Sequence, residues 1–123
     1  MKFLWTTLYV KNLDESVAFY SDLPGLKMLR RFPAGPGTEI AFMGNGTPEE
    51  TLLELISDSS KAAAVTHSDF ISVGFAVDSA DAMLETVKSK NIPVNSDPVE
   101  TPYMKFFIVK DPNGLNVQFF QQK

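Results

Sequence analysis

The sequence predicts an α+β protein built from two βαβββ modules, and three observations carry that reading. The segment Leu8-Tyr9-Val10-Lys11-Asn12-Leu13-Asp14-Glu15-Ser16-Val17 has a weak copy 67 residues later, at Phe75-Ala76-Val77-Asp78-Ser79-Ala80-Asp81-Ala82-Met83-Leu84. Each copy is an apolar strand running into a capped amphipathic helix. A second pair, Thr51-Leu52-Leu53-Glu54-Leu55-Ile56 and Leu115-Asn116-Val117-Gln118-Phe119-Phe120, aligns as well. In each half the helix is followed by strand-like stretches divided by turn-forming residues. A site assembled from two copies would draw equivalent residues from each, so the repeat also says where to look for chemistry.

The elements follow in order. Phe3 to Val10 is rich in β-branched and aromatic residues and reads as a strand. Asn12 can cap a helix, with Glu15 three residues on, and Leu13, Val17 and Tyr20 then share one face. Pro24-Gly25 stops that helix. Strands are expected at Leu26 to Phe32, Thr38 to Met43 and Thr51 to Ile56. Pro33 to Gly37 between the first two is a turn-rich loop, either a lid or a plain hairpin turn. Asp58 to Asp69 is small and polar and connects the modules, giving one 1–123 domain with modules at 1–57 and 70–123. Phe70 to Val77 is the next strand, and Ser79 caps a helix that buries Ala80, Met83, Leu84 and Val87. Asn91-Ile92-Pro93 ends it. A short strand near Val94, then Met104 to Val109 and Leu115 to Phe120 complete the second module, the last two joined by the turn Asp111-Pro112-Asn113-Gly114.

The totals narrow the function. A chain of 123 residues is long enough to bury a core. Its net charge of −4, with no basic cluster beyond Arg30-Arg31, disfavours nucleic acid, which needs a basic surface. The absence of cysteine excludes disulfides, thiol nucleophiles and thiolate-bound metals. No stretch has the length and apolarity of a membrane span or a leader peptide, so no membrane role and a cytoplasmic location are expected.

The two modules, the run Val10-Lys11-Asn12-Leu13-Asp14-Glu15-Ser16-Val17-Ala18-Phe19-Tyr20 and the Asp-Pro-x-Gly turn before the last strand together resemble the vicinal oxygen chelate superfamily. That superfamily holds glyoxalase I, the bleomycin-resistance and fosfomycin-resistance proteins and the extradiol dioxygenases. Leu13, Ser16, Phe19, Tyr20 and the phrase Ala41-Phe42-Met43-Gly44 are most similar to small bacterial glyoxalase I proteins. The resemblance implies that the modules form a curved mixed sheet. It also implies a homodimer, and in metal-dependent members a divalent ion held by four residues. Two of these, usually His, come from the first strands of the modules and two, usually Glu, from the last. Here those positions hold Trp5 and Ser72, and Glu54 and Gln118.

Such a quartet offers one strong oxygen ligand, short of the roughly three that a catalytic metal needs. No cofactor is therefore expected; Zn, Ni or Fe enters only if the site has diverged rather than emptied. His67, five residues before Ser72 and in the connector, reads as a solvated loop histidine rather than a replacement ligand. Strand alternation puts Trp5, Thr7 and Tyr9, then Leu52, Glu54 and Ile56, then Ser72, Gly74 and Ala76, then Asn116, Gln118 and Phe120 on the concave side. Their out-of-phase neighbours should pack under the helices. Apolar walls with few polar anchors suit a small planar or apolar ligand. Trp5 either stacks on that ligand or fills the cavity. Glu54 is either a catalytic base or a relic paired with Gln118 or a serine, and Gln118 is a hydrogen-bond partner. Arg30 and Arg31 point to opposite faces, and Tyr103 and Lys105 flank the expected mouth. The expected function is a small-molecule binding protein with a degenerate metal site. The alternative is a lactoylglutathione lyase-like or dioxygenase-like enzyme using Glu54.

Overall fold

The computed structural model describes residues 1–123, and the chain divides into two compact units, Met1–Val65 and Thr66–Lys123. The division falls inside the expected connector, which carries a single 3-10 turn at Ala62–Ala64.

The first unit contains β1 (Trp5–Val10), α1 (Leu13–Asp22), β2 (Lys27–Pro33), β3 (Thr38–Gly44) and β4 (Leu52–Asp58). Its four-stranded sheet has the order β1-β4-β3-β2, with β1 and β4 parallel and the other pairs antiparallel. The Asn12 side chain accepts the Glu15 amide at 2.9 Å, and Asp14 and Glu15 sit at the positive end of the helix. The chain leaves α1 through Gly25 at φ 79, a left-handed conformation that glycine adopts without strain. Leu13, Ser16 and Tyr20 form the buried stripe. Val17, expected in that stripe, is half-buried, because the face that meets the sheet is centred on the i, i+3, i+7 line through Ser16. Beneath the helix lie Leu8, Val10, Ala41, Met43, Leu53 and Leu55. Pro33 to Gly37 is a hairpin turn closed by Ala34 N–H to the Thr38 carbonyl at 2.9 Å.

The second unit contains β5 (Ser72–Ala76), α2 (Ala80–Ser89), β6 (Val99–Glu100), β7 (Met104–Lys110) and β8 (Asn116–Gln122). Its sheet order is β5-β8-β7-β6, again with the first pair parallel. Ser79 Oγ accepts the Ala82 amide at 3.1 Å. Ala80 and Val87 are buried, and Met83 and Leu84 are half-buried. Phe107, Val109, Leu115, Val117 and Phe119 make the core. In the turn before β8, Asp111 Oδ1 accepts the Asn113 and Leu115 amides at 2.8 and 2.9 Å, and Gly114 takes φ 85. The strand expected near Val94 shrinks to a single bridge with Val109, and the edge strand is β6 instead. Pro93 and Pro98 bracket that stretch and remove ladder donors from it.

Each sheet is pinned to its helix by charge. Arg31 donates to both carboxylate oxygens of Glu39 at 2.7 and 3.0 Å and reaches Asp14 of α1 at 2.7 Å. This pairing holds the Glu39 carboxyl below its usual range and raises the guanidinium further. Lys105 lies 2.6 Å from Asp81 of α2 and 3.5 Å from Glu100. It therefore faces the helix, not the mouth expected for it, because it shares the phase of the core residue Phe107. Tyr103 is exposed just before β7. No helix is long and apolar enough to cross a membrane.

Candidate functional site

The side of each sheet away from its helix is open. In the first unit the parallel register places Trp5 beside Leu52, Thr7 beside Glu54 and Tyr9 beside Ile56. In the second it places Ser72 beside Asn116, Gly74 beside Gln118 and Ala76 beside Phe120. Each expected site residue thus lies on the face of its own module's sheet opposite the helix. Leu8 and Val10 of β1, Leu53 and Leu55 of β4, and Val117 and Phe119 of β8 are buried on the opposite side, whereas Val73, Phe75 and Val77, expected to join them, are half-buried on and just after the shorter strand β5.

The open face of the first module is aromatic and charged. Trp5 is 42% exposed and meets the Phe42 ring edge-on, with centroids 5.2 Å apart and planes 67° apart. Phe42, only 3% exposed, is also stacked against Phe32 at 6.2 Å. The Arg30 guanidinium lies 4.6 Å from the Phe42 centroid and 5.9 Å from that of Phe32. Glu54, 8% exposed, accepts the Thr7 hydroxyl at 2.5 Å. A threonine on the adjacent parallel strand is therefore its partner, rather than Gln118 or a serine. The Lys61 ammonium lies 5.2 Å from the Tyr9 ring and 3.8 Å from Asp58.

The second module's face is smaller in chemistry. Ser72, Gly74 and Ala76 are exposed, Gln118 is half-buried and Phe120 is exposed. Asn116 is buried and already engaged: its amide donates to the Asp69 carbonyl at 3.1 Å and its oxygen accepts Lys110 Nζ at 3.2 Å. His67 is half-buried in the stretch between the 3-10 turn and β5. The quartet positions therefore hold an indole, a hydroxyl and an amide beside one carboxylate that already has a hydrogen bond.

The family model for the Glyoxalase/Bleomycin resistance protein/Dioxygenase superfamily matches residues 2–119. The chain belongs to this superfamily. Among relatives within the glyoxalase group, lactoylglutathione lyase of Neisseria meningitidis is 32% identical over 128 residues, covering 100% of this chain and 92% of that protein. Lactoylglutathione lyase of Salmonella typhimurium is 27% identical over 100% of this chain and 94% of its own. Two solved structures share the fold. The trypanothione-dependent glyoxalase I of Leishmania major superposes with a TM-score of 0.84 at 22% identity, covering 98% of this chain and 86% of that one. An antibiotic binding protein from Streptomyces sp. CB03234 superposes with a TM-score of 0.76 at 17% identity, covering 100% and 97%.

Sequence reasoning missed Phe42 and Phe32 as wall residues of the superfamily scaffold. The signal was present: β3 runs antiparallel to β4, so a residue level with Glu54 shares its face, and that residue is Phe42. In the second module the same reasoning finds Ile108 level with Gln118 and Phe106 level with Phe120.

Proposed function

We propose that this superfamily member binds a small planar molecule on the open face of its first module and does so without a transition metal. The supporting observation is the arrangement around Phe42: an exposed Trp5 edge on one side, Phe32 on the other, and the Thr7–Glu54 hydrogen bond beside them. Apolar walls with a few fixed polar groups are what a small-ligand site requires. The exposed rings of Trp5, Tyr9 and Phe32 on the first module's face, and of Phe120 beside Ser72, Gly74, Asn116 and Gln118 on the second's, support self-association as a homodimer. A cytoplasmic location belongs to the same reading.

The donor set argues against a divalent ion. Indole offers a metal no lone pair, and a serine hydroxyl and a glutamine amide bind Zn²⁺, Ni²⁺ or Fe²⁺ weakly. Glu54 is the one strong donor, and it is already hydrogen-bonded by Thr7. A second reading, a lactoylglutathione lyase-like activity with Glu54 as proton acceptor, draws its support from the names of the 32%-identical relatives.

Trp5 is the only tryptophan in the chain, so its fluorescence reports this face directly. Elemental analysis of untreated protein should find less than stoichiometric transition metal, and planar aromatics should shift the Trp5 emission while added Zn²⁺ or Ni²⁺ does not stabilise the fold. A stoichiometric metal whose stabilisation disappears in Glu54→Ala, together with ordinary turnover of the glutathione–methylglyoxal adduct, would establish the second reading instead.

A further inference from the structure

We infer that the ligand of this face is an anion: a planar ring carrying a carboxylate or similar group on one side and an N–H or O–H donor on the other. The inference rests on the planar-ligand reading above and adds the charge. It begins with a break in β2. Met28 is paired with Met43, but the next paired residue is Arg30, opposite Phe42, with Leu29 left out of register. Without that bulge Leu29 would stand opposite Phe42 and Arg30 would point toward the helix side. A bulge that re-aims one side chain is a recurrent device at binding sites. Here it delivers a guanidinium to an otherwise aromatic surface.

The two neighbouring arginines then differ in what they lack. The fork of Arg31 is filled by Glu39 and Asp14. Arg30 has ring partners but no carboxylate within ion-pair distance among the salt bridges of the chain. A guanidinium stacked on a ring still presents its in-plane N–H groups, whose geometry matches a carboxylate. Across the sheet the order is Arg30, Phe42, Glu54, with each neighbour one strand away, roughly 5 Å. A single ring seated against the exposed Trp5, above the covered Phe42, therefore has a cation at one side and a carboxylate at the other. Thr7 supplies one donor to that carboxylate, and its remaining acceptor capacity suits a donor on the ligand.

Calorimetric titration with para-hydroxybenzoate, its methyl ester and benzoate tests this on the wild-type chain, Arg30→Gln and Arg30→Lys. β2 is an edge strand and Arg30 is exposed, so these variants should fold. The acid should bind about ten- to a hundredfold tighter than the ester, as a charge-assisted bond allows. Arg30→Gln should erase that preference, and Arg30→Lys should retain only part of it. Benzoate should bind more weakly than its hydroxylated form. Equal affinity for acid and ester overturns the anion assignment, a preference that survives in Arg30→Gln overturns Arg30 as the group that reads it, and either result leaves planar binding standing. Benzoate binding as tightly as para-hydroxybenzoate overturns the donor requirement. No binding by any probe at millimolar concentration, with Trp5 emission unmoved, overturns this inference and the planar-ligand reading together.

Discussion

The two open faces share a backbone and differ in what they present. Trp5, Thr7 and Tyr9 of β1 have Ser72, Gly74 and Ala76 as counterparts in β5, and Leu52, Glu54 and Ile56 of β4 have Asn116, Gln118 and Phe120 in β8. Pairing register is identical, yet every large or charged group of the first strand is replaced by a small one in the second. The opposite sides have not diverged in this way. Leu55 and Phe119, at matching positions, are both fully buried, and both helices are capped and tied to a basic residue through a first-turn aspartate, Asp14 or Asp81. Burial constrains one side of each sheet to stay apolar and close-packed. The open side is under no such constraint, so functional difference accumulates there.

The comparison breaks most easily in the core. Leu55→Ala and Phe119→Ala should each destabilise the protein by about 2–5 kcal/mol, in spite of the dissimilar faces above them. Denaturant melts read the loss, and a negligible cost at either position would contradict equivalent packing. The faces themselves separate next. Trp5→Ala should weaken binding of a planar ligand about tenfold or more, whereas Ser72→Ala should change it less than about twofold. Equal effects in titration would show that the second face reads the ligand as strongly as the first. The caps come third. Asn12→Ala and Ser79→Ala should each cost about 1 kcal/mol, matching each other because both remove one bond to a helix N-terminal amide.

The smallest effect is the pH dependence. Hydrogen bonds from Arg31, Lys105 and Lys123 hold Glu39, Asp81 and Glu100 below their usual carboxylate range. Groups whose native pKa is lowered stabilise the fold above their unfolded values and lose that contribution as pH falls through the native ones. Thermal stability should therefore be level down to about pH 4–5 and decline below it. Replacing Glu39 by Gln and Asp81 by Asn together should flatten the decline, and an unchanged acid limb in that double variant would remove these pairs from the account.

Much of the fold was legible because local rules and tertiary packing agree. Asn12 and Ser79 cap as their side chains suggest, and alternation along β1, β4 and β8 picked out Leu8, Val10, Leu53, Leu55, Val117 and Phe119, all of them buried. The readings that changed depend on pairing rather than periodicity. A two-residue strand such as Val99–Glu100 has no period to detect. Lys105 faces the helix because of its phase with Phe107, and Thr7 became the partner of Glu54 only once β1 was known to lie beside β4 in that register. Arg30 reaches the open face through a bulge, which no alternation rule anticipates.

One consequence of the duplicated register concerns chain length. Trp5 pairs with Leu52 and Ser72 with Asn116, so the path between equivalent paired positions is three residues shorter in the second module. The same parallel pairing is reached by both routes. The connections between these strands are therefore spacers whose length the sheet tolerates, in keeping with the slow growth of loop-closure entropy. For protein engineering, changes of length belong in these connections rather than in the strands that carry the ligand-facing side chains.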